Sequence, residues 1–86
     1  MNIGWTEHAQ QRFFERSLKY GLNYAEIDEQ ILKQKIKIKQ SKNKIKTIFK
    51  VLDYYFTVIK EETSRAIYVV SIWESNDEEV KLWKTK

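Results

Sequence analysis

The spacing of the apolar residues changes near residue 34, and this change limits the folds that the chain can adopt. Up to that point apolar residues recur every three or four positions, which is typical of amphipathic helices. Beyond it, starting with "KIKIK" (Lys35 to Lys39), apolar and polar residues alternate, as in a strand with one buried face. The 86 residues include no proline and only two glycines, so regular elements joined by short turns are expected.

Two helices are predicted ahead of this change. Thr6 is a suitable N-cap for the first helix, which should end near Tyr20 because Gly21 favours the left-handed conformation that ends many helices. The segment "NYAE" resembles a capping box and begins a second helix that should end near Lys33.

Four strands are predicted after the helices. They are Lys35–Lys39, with Ile36 and Ile38 inward, Lys44–Val51, the segment "YFTVIK" and Ala66–Trp73. The short polar turns between them imply antiparallel neighbours. The expected fold is therefore α+β, with two N-terminal helices packed on one face of a twisted four-stranded antiparallel sheet, in a single domain of residues 1–86. The other sheet face should be open and carry lysines.

The two ends of the chain carry weaker signals. The residues from Asn2 to Trp5 suit a short strand or a lead-in to the first helix. Near the other end, "SNDEE" suits the start of a final helical turn with Ser75 or Asn76 as its cap.

Positive charge is concentrated in the middle of the chain. The net charge is +4, and the stretch from Gln30 to Leu52 contains no acidic residue. Its eight lysines are Lys33, Lys35, Lys37, Lys39, Lys42, Lys44, Lys46 and Lys50. Such a surface suits a polyanion such as RNA, or an acidic protein. Lysines also keep exposed and edge strands soluble, so both interpretations stay open.

Composition excludes several classes of function. The absence of cysteine rules out disulfides, thiolate metal sites and cysteine nucleophiles, and a single histidine leaves too few ligands for zinc. No metal and no cofactor are therefore expected. The sequence begins without a signal-peptide pattern and has no apolar segment long enough to span a bilayer, so a cytoplasmic protein that does not bind membranes is expected.

One segment, "WTEHAQQRFFER", has the spacing of a functional site. It holds the only histidine of the chain, His8, followed at intervals of four by Arg12 and Arg16. On a helix these three side chains span about 80° of the circumference and form a single ridge. The neighbours expected to face the sheet are Ala9, Phe13 and Phe14.

This ridge is suited to RNA chemistry. Paired guanidinium groups bind a phosphate and stabilise the charge it gains during transfer. A histidine with a pKa near neutrality can move the proton of a ribose 2′-hydroxyl or of the leaving oxygen. A surface histidine beside arginines in solvated ion pairs explains the same spacing without any chemistry.

The aromatic residues of the strands also allow two interpretations. Bases of single-stranded RNA stack on such side chains, and Trp73, at the end of the last strand, is the best placed for this role. In a small protein, strand aromatics more often belong to the core.

The order "EHAQQRFFERSLKYGLNYAEIDEQIL" resembles the opening of a family of small proteins related to RelE-type toxins, which begin with His-Ala-x-x-Arg-x-x-x-Arg. His8, Ala9, Arg12 and Arg16 match that motif. "KTIFKVLDYYFTVIKEE" is similar to the middle hairpin of the family. "AIYVVSIW" is similar to its last strand, where Ser71 stands near a family threonine and keeps the hydroxyl.

The resemblance implies a RelE-like fold and the toxin of a type II toxin–antitoxin pair, a metal-independent endoribonuclease that cuts RNA on the ribosome or free. Its expected partners are RNA or the ribosome and a cognate acidic antitoxin. Members of the family differ in which residues carry the chemistry. The candidate catalytic residues are His8, Arg12, Arg16 and Ser71, and the candidate RNA-binding residues are Lys35, Lys37, Lys44, Lys46 and Trp73.

Two other functions stay open at this point. One is a non-catalytic module that binds nucleic acid or protein through the lysine-bearing sheet face. The other is a degenerate relative that forms a homodimer or larger oligomer through an exposed sheet edge.

Overall fold

The computed structural model describes residues 2–33 and 36–85. Within these residues the chain forms three helices and five strands. In order they are β1 (Asn2–Trp5), α1 (Glu7–Tyr20), α2 (Tyr24–Lys33), β2 (Lys37–Lys39), β3 (Lys44–Val51), β4 (Tyr54–Glu62), β5 (Ala66–Glu74) and α3 (Asp77–Thr85). The predicted α+β class is confirmed, whereas the predicted two helices and four strands are wrong.

The strands form one mixed sheet in the order β1-β5-β4-β3-β2. The pairs from β5 to β2 are antiparallel, as the short turns predicted. Strand β1 is parallel to β5, with Ile3 opposite Ile67, so the prediction of a wholly antiparallel sheet is wrong. The pairing of β1 joins residues more than sixty positions apart in the chain, which a local pattern does not reveal.

The predicted helix boundaries are confirmed. Thr6 caps α1, with its hydroxyl accepting the Ala9 backbone N–H at 3.2 Å. Gly21 ends α1 in the left-handed conformation at φ 68°. Asn23 caps α2, with its side-chain oxygen accepting the Glu26 backbone N–H at 2.9 Å.

Helices α1 and α2 cover one face of the sheet, which we call the α1–α2 face. Directly paired residues lie on the same face, and Phe49 opposite Phe56 places both rings in this core. Buried residues of the two helices in the same core include Ala9, Phe13, Ile27 and Ile31. Phe14 was also expected to face the sheet, and this is wrong: its side chain is 64% exposed, because one helical step of about 100° turns it away from Phe13.

The opposite sheet face, called the α3 face below, was expected to be open, and this is wrong as well. Its residues include Lys46 opposite Ile59 and Ile48 opposite Thr57. Helix α3 packs on this face, mainly against β3, and both Ile48 and Thr57 are fully buried there. The expected final helical turn is instead a helix of nine residues that covers part of the sheet.

Strand β2 is shorter than predicted and differs in which side chains face inward. Ile36 is buried as expected, but it precedes the strand. Ile38 pairs with Lys46 and so lies half-buried on the α3 face rather than on the α1–α2 face. Lys37 and Lys39 consequently belong to the α1–α2 face, at the edge of the sheet.

Candidate nucleic-acid interface

Helix α1 presents His8, Arg12 and Arg16 as a ridge. His8 and Arg12 are exposed, and Arg16 is half-buried. Among the described residues, none of the three side chains makes an ion pair or a hydrogen bond. Four residues of helix advance about 6 Å, so Arg12 lies one turn from each of the other two while His8 and Arg16 are about 12 Å apart along the axis. Arg12 is therefore the member that can share one phosphate with either neighbour.

The ridge ends at an open pocket of about 310 Å³ between α1 and the end of β5. Its lining residues are Glu15, Arg16, Lys19, Tyr20 and Glu74. Two cations and two carboxylates balance in charge here. The pocket is thus a polar, nearly neutral recess rather than a simple anion site, and the uncompensated charge on α1 lies at Arg12.

Tyr20 is the best-ordered group of this pocket. Its ring packs against Tyr54 and Phe56, with centroid distances of 4.3 and 5.5 Å, and its hydroxyl donates a hydrogen bond to Glu74. That hydrogen bond, together with desolvation and the negative charge of Glu74, raises the pKa of Tyr20, so the phenol is protonated at neutral pH. Sequence reasoning missed Tyr20, although it continues the four-residue spacing of the ridge.

Ser71 and Trp73 are not brought to the ridge. Ser71 pairs with Ile59 and Trp73 with Thr57, so both side chains lie on the α3 face while α1 packs on the other face. The Trp73 indole N–H donates to Glu79 of α3 at 3.0 Å. The sheet therefore separates these two candidates from His8, Arg12 and Arg16.

Lys46 also lies on the α3 face and is ion-paired with Glu79 at 2.9 Å. Burial alone would raise the pKa of Glu79, but hydrogen bonds from the Asn76 backbone N–H, Lys46 and Trp73 outweigh it, and the pKa lies below the ordinary value. The Glu79 backbone N–H donates in turn to the Asn76 side chain at 2.9 Å, which completes a capping box at the start of α3. Lys44, on the same face as Lys46, is exposed.

Lys37 lies in a second cationic region. A pocket of about 430 Å³ at the β2 edge is lined by Lys37, Lys39, Lys42 and Ile45. Lys37 is 3.6 Å from Glu62, which also pairs with the fully buried Lys60 at 2.8 Å. Lys35, another predicted RNA-binding residue, lies outside the described residues.

Glu62 is more acidic than usual because of these two lysines. The contact with Lys60 is the main cause of its lowered pKa, and Lys37 adds to it despite the opposing effect of burial. Since Glu62 offsets part of the charge of Lys37, the exposed Lys39 and Lys42 are the freer cations of this pocket.

The structure thus divides the predicted site residues into three groups. The ridge lies on α1, the lysine pocket at the β2 edge, and Lys46 with Ser71 and Trp73 on the α3 face. Within the described part of the chain, no group of three or more His, Cys, Asp or Glu side chains is arranged to hold a metal ion. None of the described helices has the length and apolar character required to cross a membrane.

Comparison with known proteins adds no family to this picture. No family model matches the chain, and no curated protein or solved structure matches it significantly.

Proposed function

We propose that this protein is a metal-independent endoribonuclease related to RelE-type toxins, with its reactive groups on the exposed ridge of α1. The observation that supports the proposal is the placement of His8 one turn from Arg12. Both side chains are exposed, and neither has a carboxylate partner among the described residues.

The proposed reaction is an attack within the RNA strand. The ribose 2′-oxygen bonds to the adjacent phosphorus, the bond to the 5′-oxygen of the next nucleotide breaks, and that oxygen takes up a proton. His8 would accept the 2′-hydroxyl proton or deliver a proton to the leaving oxygen. Arg12 would stabilise the phosphate as its negative charge increases.

The geometry assigns different weights to the two arginines. Arg12 lies beside His8, whereas Arg16 lies about 12 Å from His8 and has Glu15 and Glu74 around it. Arg12 is therefore proposed as the phosphate ligand of the reaction, and Arg16 as a contact to a neighbouring part of the RNA. Ser71 has no role in this proposal, because the sheet lies between it and α1.

Cleavage of RNA by the purified protein in EDTA tests the proposal, with free RNA and with ribosomes carrying mRNA as substrates. His8→Ala should abolish cleavage while RNA affinity stays within about twofold. Arg12→Ala should reduce cleavage more than Arg16→Ala, by on the order of 100-fold for a lost transition-state contact. Gln11→Ala is the matched control, since Gln11 is an exposed neighbour on the same helix. Cleavage by His8→Ala at the wild-type rate would remove His8 from the mechanism.

A second candidate function rests on the lysine pocket at the β2 edge. Lys37, Lys39 and Lys42 surround Ile45 there, and this arrangement favours a module that binds RNA or an acidic protein without cutting it. The double variant Lys39→Glu/Lys42→Glu should then abolish binding, while His8→Ala leaves binding intact and no cleavage occurs with any protein. Salt dependence provides the comparison, since each lost phosphate contact to a single strand lowers the slope by about 0.7.

The biological partners follow from the first proposal. An endoribonuclease of this type would act on RNA or on the translating ribosome, and an acidic antitoxin would neutralise its basic surfaces. Copurification of a small acidic protein encoded next to it would support this part of the proposal.

A further inference from the structure

The sheet face under α3 combines the two kinds of side chain that bind single-stranded nucleic acid. Lys44, Lys46 and Lys50 occur at alternate positions of β3 and share this face. Tyr55 pairs with Lys50, and Trp73 lies on the same face in β5. Lysines that bind phosphates beside flat rings that stack on bases are the usual components of a single-strand-binding sheet.

Groups of α3 occupy these components. The Glu79 carboxylate accepts from Lys46 at 2.9 Å and from the Trp73 indole at 3.0 Å. The ring of Trp83 meets that of Tyr55 at a centroid distance of 5.2 Å. An anion thus sits on the lysine and an aromatic ring sits on the tyrosine, where a phosphate and a base of a bound strand would sit.

The attachment of α3 is small for a structural helix. Within Asp77–Thr85, Glu79 is the single buried residue, Val80 and Trp83 are half-buried, and Leu82 is 40% exposed. A helix of nine residues is not stable in isolation, so its order depends on this docking. The carboxylate of Glu79 contributes twice, because it also accepts the Asn76 backbone N–H that starts the helix.

From these contacts we infer that α3 is a displaceable cover over a single-stranded RNA-binding face, held in place by Glu79 on Lys46 and Trp73. Phosphate and carboxylate compete for the same lysine, so binding of RNA requires the Glu79 contacts to break. The apparent affinity for RNA is then reduced by the fraction of molecules in which α3 is docked. The inference rests on the proposed function only in taking RNA as the ligand.

Binding of a 12-nucleotide 2′-O-methyl RNA, measured by fluorescence anisotropy in EDTA at several salt concentrations, tests this inference. The blocked 2′-oxygen prevents cleavage, so the result does not depend on whether the ridge of α1 is catalytic. Glu79→Gln should bind at least about tenfold more tightly than wild type, because a charge-assisted contact no longer has to break. Its salt dependence should be steeper by about 0.7, since Lys46 gains a phosphate.

Two variants make the comparison specific. Glu78→Gln removes the same charge from an exposed position of the same helical turn and should bind within about twofold of wild type. In Lys46→Met/Glu79→Gln the gain should disappear, because the lysine freed by Glu79→Gln is absent. A gain that persists in the double variant, or that Glu78→Gln shares, would overturn the inference.

Hydrogen exchange in the wild-type protein provides a second measurement that needs no variant. Addition of the oligonucleotide should speed amide exchange in residues 77–85 while β3, β4 and β5 keep their protection. Unchanged protection of α3 in a protein saturated with oligonucleotide would contradict the inference. So would opening of α3 by poly-glutamate but not by the oligonucleotide, since that result assigns the face to an acidic protein.

Discussion

Replacement of Glu79 by alanine should destabilise the protein more than any other single change of an acidic residue in α3. The carboxylate accepts from the Trp73 indole at 3.0 Å, from the Asn76 backbone N–H at 2.9 Å and from Lys46 at 2.9 Å. A net hydrogen bond to a charged group contributes about 1.5–3 kcal/mol, but the three contacts share one carboxylate and are not additive. Lys46 keeps a side-chain exposure of 23% and regains water, so its contact counts least. The expected loss is therefore about 2–3 kcal/mol.

Urea unfolding at pH 7, followed by circular dichroism, measures this loss. With an m-value of about 1 kcal/mol per molar urea, the midpoint for Glu79→Ala should fall by roughly 2 M. Glu78→Ala is the matched control and should stay within about 0.5 kcal/mol of wild type, because its side chain is exposed. Equal stability of the two variants would refute the assignment of Glu79 as the residue that holds α3 on the sheet.

Further predictions concern pH and the cap of α1. The pKa values of Glu79 and Glu62 are lowered in the folded state, so their contribution is present above the unfolded value of about 4.3 and is lost as pH falls through the lower folded values. Urea titrations from pH 6 to pH 3 should show stability falling below about pH 5, with a shallower decline in Glu79→Gln; parallel curves would contradict this. Gly21→Ala should cost about 1 kcal/mol from the left-handed backbone at φ 68°, with no added clash, and lower Tm by about 4–8 °C. An unchanged Tm would show that the cap relaxes without strain.

Local signals in the sequence predicted much of the fold. Thr6, Gly21 and Asn23 act within a few residues of their own positions, so the ends of α1 and α2 could be read directly. The alternation in Lys44–Val51 likewise gave the bounds of β3. These elements depend on caps and spacing, which are properties of short segments.

The parts that sequence reasoning missed depend on long-range contacts. The pairing of β1 with β5, the docking of α3 and the face of Ile38 follow from strand register, which joins distant residues. The candidate site divides in the same way. The ridge of His8 and Arg12 follows from helical spacing, whereas the Tyr20–Glu74 hydrogen bond spans 54 positions and no local pattern indicates it.

Lys46 and Trp73 show how register changes an interpretation. As sequence features they are a cation and an aromatic ring on strands, which favours an open RNA-binding face. In the folded chain both contact Glu79, so the same residues describe a covered face instead. A buried acidic residue in a short C-terminal helix supplies the contact, and its burial depends on packing that spacing alone does not show.

Analysis of the ends of the RNA products is the most direct test of the central claim that α1 carries a metal-independent ribonuclease site. Wild-type protein in EDTA should produce fragments that end in a 2′,3′-cyclic phosphate, with a free 5′-hydroxyl on the other side of the cut. His8→Ala should produce none, and Gln11→Ala should match wild type. Intact RNA after incubation with wild-type protein, both free and on ribosomes, would contradict the claim.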